Sequence, residues 1–218
     1  MNGNPSVIIL LFLQKIFSMR IFLKCLLLFV VPMAFGQDKF DPSSVEAFQN
    51  EMNTSFATTG KSPLMEEDRK VFKSLDFFPI EEKFAVVATF IKSKKQKSFE
   101  MKTTTDRKPL YVKYGELHFE IDGKPFKLDV FKNLDLSKKK GYKDYLFLPF
   151  SDLTSGKESY IGGRYIDMRI PKGDKVLIDF NKAYNPYCAY NPEYSCPIVP
   201  LQNDLMIEIK AGVKKFHD

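Results

Sequence analysis

Two carboxylates and an arginine are the residues of this sequence with the clearest potential for chemistry. Asp167 and Asp179 lie in two predicted strands, and Arg164 precedes the first of them. A pair of carboxyl groups can supply a general acid and a general base when their surroundings separate their pKa values. One hypothesis is therefore a hydrolase of glycans or esters that uses Asp167 and Asp179 with Arg164.

The main hypothesis is a module that binds a ligand or a partner protein, and the hydrolase is the alternative to it. Side chains alternate along a strand, which places Asp179 and Asn181 on one face, and a loop rich in Tyr, Asn and Pro follows them. Loops on rigid scaffolds are common binding surfaces. The candidate ligand-binding residues are Arg164, Tyr165, Asp167, Asp179, Asn181, Tyr184, Asn185 and Tyr187, with Tyr190 as a further wall of the pocket.

A purely structural role for the same residues stays open. Asp and Asn side chains cap turns and bind loop backbone, an arginine can pair with an acid, and tyrosines pack loops onto sheets. The sequence contains no Gly-x-Ser-x-Gly, Walker or His-Glu-x-x-His motif, and His118 is a poor candidate base without a visible partner.

Cys188 and Cys196 lie in the same loop, which has prolines at 186, 192, 197 and 200. In an exported protein a disulfide is the favoured interpretation, and closing this loop would stabilise the fold by about 2.6 kcal/mol in the chain-entropy account. A reduced, reactive pair is the first alternative. A metal site is the last, because only His118 and His217 could complete a ligand set. No cofactor is expected.

The first 36 residues are interpreted as a secretory signal peptide. Arg20 and Lys24 place positive charge at the front of a short apolar run at 21–31, and Ala-Phe-Gly at 34–36 provides small residues before a cleavage site. The sequence therefore predicts an exported protein, periplasmic or extracellular, whose mature domain is 37–218.

A further apolar run at 7–13 precedes this segment. Translation from Met19 would give a signal of ordinary length, and residues 1–18 would then be a gene-start artefact. The alternative is an uncleaved anchor, the only expected route to a membrane, although the run at 21–31 is shorter than a spanning helix. Cys25 follows Lys24 and does not suit a lipoprotein.

The charge of the mature chain is modest. The formal net charge is +6 for the whole sequence, and it falls to +3 when Lys15, Arg20 and Lys24 are removed with the signal. We therefore expect no nucleic-acid partner; the expected partner is a small molecule, a glycan or an envelope protein. The lysine runs at 92–97 and 138–140 are read as solvated loops, or else as attracting anionic lipid or polysaccharide.

The sequence predicts two helices followed by many short strands. Asp41 caps a helix that ends near residue 53, and Ser62-Pro63 opens another through about residue 75. The predicted class is mainly β (α+β), an antiparallel β-sandwich or partly closed barrel with one or two N-terminal helices. If the two strands flanking Gly173 pair, their polar residues would converge. The predicted strands are 84–91, 117–121, 126–130, 145–150, 165–170, 176–180 and 205–209, with an Asp122-Gly123 hairpin turn between the second and third.

Several segments resemble the bacterial family called domain of unknown function 1684. They are Gly162-Gly163-Arg164-Tyr165, the run from Asp179-Phe180-Asn181 to Cys196-Pro197, and the aromatic strand at 145–150 with its Asp152 turn. The resemblance covers roughly 62–212 and implies exported or envelope members without an established activity. The family usually carries Pro-Pro-x-Glu-Asn and Ala-Gly-Glu where this chain has 199–203 and 211–213, so two acids are replaced by Gln202 and Val213.

Overall fold

The computed structural model describes residues 39–217, and the predicted signal peptide lies outside them. Helix α1 (Pro42–Ala57) begins after Asp41, whose side chain accepts a hydrogen bond from the Ser43 amide at 3.0 Å. The helix runs past the predicted end at residue 53 because Phe56, which is 2% exposed, packs its last turn into an apolar cluster.

The second helix, α2 (Glu66–Val71), is shorter than predicted. Leu64 is already buried ahead of it, and the amide of Leu75 donates to the side chain of Asn53 in α1 at 2.8 Å. These tertiary contacts hold both flanks of α2 in non-helical conformations. Short 3-10 helices occur at Glu82–Phe84, Leu136–Lys138, Phe180–Lys182, Tyr187–Ala189 and Leu201–Asn203.

Eight strands form one sheet that is almost wholly antiparallel. They are β1 (Ala85–Lys92), β2 (Phe99–Glu100), β3 (Leu110–Ile121), β4 (Lys124–Asn133), β5 (Tyr145–Asp152), β6 (Arg164–Arg169), β7 (Lys175–Asp179) and β8 (Asp204–Leu205). The order along the main path is β6-β5-β4-β3-β1-β7, with β2 beside β3 and β8 beside β5. Among the strands described in residues 39–217, the pairing of β8 with β5 is the parallel one.

The β3–β4 hairpin turns at Asp122 and Gly123, as the sequence predicts. Both residues have positive φ, 50° and 71°, which a two-residue turn of this kind requires. Leu117 lies opposite Leu128 in this register, and both side chains are fully buried. Because side chains alternate along each strand, the turn directs the apolar face of the hairpin into the main core.

The predicted pairing of the two strands on either side of Gly173 is wrong, because β6 and β7 do not pair with each other. β6 pairs with β5, whereas β7 pairs with β1, where Val86 lies opposite Ile178. Both of these side chains belong to the main core, so the register with β1 buries the apolar face of β7. Pro171 follows β6 and has no amide hydrogen to continue a ladder.

The sheet curls until its two ends approach each other. Tyr165 on β6 and Tyr184 exchange backbone hydrogen bonds of 2.8 and 3.0 Å, which connects the β6 end of the sheet to the chain that leaves β7. The result is a curled half-barrel around the main core. The mainly β class with N-terminal helices is therefore confirmed, and the partly closed barrel is the arrangement present.

The predicted strand at 205–209 is reduced to the two residues of β8. Met206 is 74% exposed, and the carbonyl of Ile209 accepts a hydrogen bond from the Arg164 side chain at 2.8 Å. The Leu153 amide still donates to the Ile207 carbonyl at 3.0 Å, and the Arg164 side chain then holds the segment at Ile209. Within residues 39–217, no helix combines the length and apolar character needed to cross a bilayer.

Candidate functional site

Arg164 is a buried cation within the fold. Its side chain is 0% exposed, and its Nη2 lies 2.6 Å from Oδ2 of Asp152, which is equally buried. The guanidinium also donates to the carbonyls of Ile209 and Ala211. Arg164 therefore connects β6 to the C-terminal segment of the chain. Because its side chain is buried in these contacts, it is not accessible to a ligand in solvent.

Asp179 and Asn181 form a small backbone-binding unit. Oδ1 of Asp179 accepts hydrogen bonds from the Asn181 amide at 3.1 Å and from its Nδ2 at 2.9 Å, which caps the 3-10 helix that follows. The Asn181 side chain in turn pairs with both the amide and the carbonyl of Glu81, each at 3.0 Å. These bonds fix the entry to β1.

The next three candidates differ in their exposure. Asn185 is 1% exposed, and its Nδ2 donates to the carbonyl of Lys214 at 2.9 Å. Tyr190 is 2% exposed and packs edge-on against Phe56 with a centroid distance of 4.8 Å. Only Tyr187 of the three is exposed, at 43%. Asn185 and Tyr190 therefore dock the loop onto the protein.

Tyr145, Asp167 and Tyr184 form a polar cluster, named here the tyrosine–aspartate site, in which the carboxylate is exposed and the two tyrosines are half-buried. Asp167 points outward from β6, and its Oδ1 accepts hydrogen bonds from the hydroxyls of Tyr145 at 2.7 Å and Tyr184 at 2.6 Å. Tyr145 opens β5, and the backbone bridge to Tyr165 holds Tyr184 in place. Two strands and the loop thus converge on one carboxylate.

The two tyrosines remain neutral hydrogen-bond donors at physiological pH. Burial and then the negative charge of Asp167 raise the pKa of Tyr145 well above its ordinary value. The same two causes raise the pKa of Tyr184. Since a carboxylate has about four acceptor positions and the hydroxyls use only those of Oδ1, exposed Asp167 retains capacity for further donors.

Aromatic and cationic side chains surround this carboxylate. Tyr142 is 42% exposed and lies edge-on to Tyr145 at 5.8 Å between ring centroids. Arg169, two residues beyond Asp167 on the same face of β6, donates to Asp144 at 2.8 Å. The arrangement offers flat apolar faces beside hydrogen-bonding groups, which is a chemistry suited to a ligand with both characters.

Tyr165 connects this site to a second one. It is 5% exposed, its ring contacts that of Tyr184 at 5.9 Å, and its hydroxyl donates to the carbonyl of Pro197. Pro197 directly follows Cys196, so Tyr165 links the tyrosine–aspartate site with the neighbouring cysteine pair.

The thiol cluster consists of Thr104, Tyr160, Cys188 and Cys196. Both cysteines are free thiols in the structure, and the Cys188 amide donates to Sγ of Cys196 at 3.2 Å. The Tyr160 hydroxyl lies 3.9 Å from Sγ of Cys188. Oγ1 of Thr104 accepts from the Cys196 amide at 3.1 Å. The pair is adjacent, and the disulfide stays a prediction.

The two thiols have opposite proton affinities. A hydrogen bond from Cys196, with smaller contributions from Tyr160 and Thr104, lowers the pKa of Cys188 to about 6. The same hydrogen bond, together with burial, raises the pKa of Cys196. These shifts favour Cys188 as the thiolate of the pair and Cys196 as the thiol that keeps its proton.

Charged residues also cluster on the outer face of β3 and β4. Nζ of Lys113 lies 2.6 Å from Glu116 and 2.8 Å from Asp129, and Nε2 of His118 lies 3.0 Å from the other oxygen of Glu116. His118 thus has a partner, in an arrangement that links two adjacent strands. Within residues 39–217, no group of three or more His, Cys, Asp or Glu side chains suits a metal ion.

An open depression of about 430 Å³ lies beside Phe84 and the β3–β4 turn. Lys83, Asp122, Met206 and Lys210 are among its lining residues. Its wall mixes both charges with exposed apolar side chains and contains none of the candidate residues named from the sequence. It is the alternative location for a ligand.

The sequence candidates thus fall into separate clusters. Asp167 binds two tyrosines, whereas Asp179 binds Asn181, and no described contact joins the two carboxylates. The hydrolase hypothesis consequently gains no support from the described contacts. Sequence reasoning missed Tyr145 and Tyr160, because each approaches its partner from a different strand or loop and has no spacing signal relative to it.

The protein is thus a half-barrel of mainly antiparallel strands that carries a tyrosine–aspartate site and, in the loop after β7, a pair of adjacent cysteines. The family model described as "Protein of unknown function (DUF1684)" matches residues 70–214, and the chain belongs to this family. The family resemblance seen in the sequence is therefore confirmed.

A solved structure supports the same fold. The solution NMR structure of an uncharacterized protein from Haloarcula marismortui is 33% identical to this chain, with a TM-score of 0.62. The match covers 79% of this chain and 92% of the other. No curated protein matches the sequence.

Proposed function

We propose that the chain is an exported binding module of the cell envelope, and that its tyrosine–aspartate site binds a hydroxyl-bearing ligand of the glycan class. The observation that carries this proposal is the pair of tyrosine hydroxyls on Oδ1 of exposed Asp167. The tyrosines orient the carboxylate without neutralising it. The carboxylate then accepts hydrogen bonds from ligand hydroxyls.

The neighbouring residues suit a sugar ring. A glycan offers hydroxyl groups at its edge and apolar C–H groups on its face, and exposed Tyr142 and Tyr187 provide aromatic surfaces. Tyr142 lies edge-on to Tyr145, one of the two tyrosines that donate to Asp167, with 5.8 Å between the ring centroids. A ligand on Asp167 can therefore lie against at least one ring.

The scaffold is suited to preorganisation. Tyr184 is held by two backbone hydrogen bonds, and Tyr145 begins a strand whose next five residues are buried. A site built on such elements loses little conformational freedom when a ligand binds. The export signal predicted at 1–36 would place this surface where envelope glycans occur.

The test is a titration of the full chain with the trisaccharide of N-acetylglucosamine, in which binding is measured by isothermal titration calorimetry. Replacing Asp167 with Asn removes the charge, and hydrogen bonds to a charged group contribute about 1.5–3 kcal/mol. The dissociation constant should therefore rise roughly 10- to 150-fold. Wild-type protein that gives no heat at millimolar trisaccharide would contradict the glycan class.

Asp122→Asn is the matched control. It removes one exposed carboxylate at the β3–β4 turn, where Asn also tolerates positive φ, and it should leave the affinity unchanged. If Asp122→Asn weakens binding and Asp167→Asn does not, the ligand occupies the depression beside that turn and the proposed site is wrong.

A further inference from the structure

Cys188 and Cys196 lie where the loop is already held by many other contacts. The Thr104 amide donates to the Cys196 carbonyl at 2.9 Å, and Arg107 donates to the Ser195 carbonyl at 2.7 Å. Tyr190, which lies between the two cysteines in the chain, is buried against Phe56 of α1. A disulfide is therefore not required to keep the loop in place, and the two cysteines stay adjacent in their reduced form.

The two cysteines differ in their access to solvent. Cys196 is 7% exposed, whereas Cys188 is half-buried. Cys188 is therefore the more accessible of the two to an incoming molecule, and the sulfur of the buried Cys196 lies 3.2 Å from the Cys188 amide nitrogen. This is the arrangement needed for one attacking and one resolving thiol.

We propose that Cys188 and Cys196 form a thiol–disulfide exchange site that acts on the disulfide of a small molecule or protein, with Cys188 as nucleophile and Cys196 as resolving thiol. These residues take no part in the tyrosine–aspartate site, so either site can function without the other. The oxidised form of the pair is the disulfide that the sequence predicts.

The reaction balances in two steps. The Cys188 thiolate attacks one sulfur of the substrate disulfide; that S–S bond breaks, and the departing sulfur takes a proton to leave as the first thiol. Cys196 then loses its proton and attacks Sγ of Cys188, which expels the second substrate sulfur as a thiol. Two electrons and two protons pass from the dithiol to the substrate disulfide.

Tyr160 is a positioning residue for this chemistry. Its hydroxyl lies 3.9 Å from Sγ of Cys188, and it adds to the larger effect of Cys196 in lowering the pKa of the Cys188 thiol to about 6. The hydroxyl itself stays protonated, because burial and then the cysteine charge raise the pKa of Tyr160 to about 12. A thiolate is the species that attacks disulfides, and a low pKa makes it available at neutral pH.

The experiment uses the reduced full chain with Cys25→Ser, so that Cys188 and Cys196 are its only thiols. The probe is the aryl disulfide 5,5′-dithiobis(2-nitrobenzoate), whose release of thionitrobenzoate is followed by absorbance. The parent protein should release two equivalents and retain no probe. Cys196→Ser should release one equivalent and keep a mixed disulfide on Cys188, seen by mass spectrometry.

Rates at pH 6 separate the two thiols. In Cys196→Ser the new hydroxyl can still donate a hydrogen bond to the Cys188 sulfur in place of the Cys196 thiol, so Cys188 keeps a greater thiolate fraction, which outweighs its lower intrinsic nucleophilicity at this pH. Cys188→Ser should therefore react at least roughly tenfold more slowly than Cys196→Ser. Tyr160→Phe should move the midpoint of the pH–rate profile upward, which loss of packing alone would not do. A thermal melt of each variant checks that it is folded.

Three outcomes would overturn the proposal. One is equal reactivity of the two single-cysteine variants. Another is a parent protein that retains two probe molecules, because resolution by Cys196 would then not occur. The third is a pH–rate midpoint near the ordinary thiol pKa of about 8.5, because Cys188 would then not be the activated thiol.

Discussion

The buried pair of Arg164 and Asp152 gives the sharpest stability prediction. Asp152→Asn keeps the shape of the side chain, but it replaces an oxygen by a donor group. Oδ2 of Asp152 accepts from Arg164 at 2.6 Å, and Oδ1 accepts from the Thr154 amide at 2.7 Å. Whichever way the new amide turns, a donor faces a donor, and the guanidinium loses its only carboxylate contact in the described chain.

The expected cost is that of an uncompensated buried charge, about 3–5 kcal/mol. With a urea m-value of about 2–3 kcal/mol/M, the unfolding midpoint should fall by roughly 1–2.5 M. Equilibrium unfolding in urea, followed by fluorescence or circular dichroism, measures this shift.

Asp144→Asn is the control, because Asp144 pairs with Arg169 at 2.8 Å while both side chains are 57% exposed. An exposed pair contributes about 0–1 kcal/mol, so the midpoint should hardly change. Similar losses for the two variants, or a loss below about 1 kcal/mol for Asp152→Asn, would refute the assigned role of the buried pair.

Two further predictions concern neighbouring polar clusters. Asn203 is 0% exposed, and its side chain binds the amide and the carbonyl of Asp129, each at 2.8 Å. Asn203→Ala leaves these buried groups without their partner, so the free energy of unfolding measured in urea should fall by at least about 1–3 kcal/mol. Hydrogen bonds from Lys113 and then His118 lower the pKa of Glu116 from 4.5 to about 2. The stability that Glu116 provides is thus present above pH 4.5 and is lost as the pH falls toward 2. Glu116→Gln should flatten the acid limb of stability against pH, and an unchanged acid limb would contradict the assignment.

Local patterns predicted much of the fold. The Asp122-Gly123 turn and the alternation of apolar and polar residues on either side of it were sufficient to predict the β3–β4 hairpin. The helix-capping residue Asp41 was sufficient to predict where α1 begins. These features depend on residues close together in the chain, whose conformational preferences sequence reasoning can use directly.

Long-range pairing was not predictable in the same way. The segments of β6 and β7 have similar alternation and a glycine between them, which also suits a hairpin. Their actual partners, β5 and β1, are chosen by how apolar faces meet in the curled sheet, as Val86 and Ile178 do. Alternation identifies the buried face of a strand, but it does not specify the neighbouring strand.

The candidate site shows the same limit. Asp167 and Tyr184 were named from the sequence, but the sequence does not show that Tyr145 completes the site from β5. Arg164 was named as a ligand-binding candidate, with an acid partner as the alternative, and Asp152 is that partner. A polar residue of a given type can thus bind a ligand from solvent or stabilise the fold, and its tertiary contacts show which of these two roles it has.

The most direct test of the proposed function is to locate the bound trisaccharide by amide chemical-shift mapping on isotopically labelled protein. We predict that the largest shifts occur at Tyr145, Asp167 and Tyr184, and that amides beside the open depression, such as Asp122 and Met206, stay unchanged. Shifts concentrated at Asp122 and Met206, with none at Asp167, would contradict a ligand site at the tyrosine–aspartate cluster.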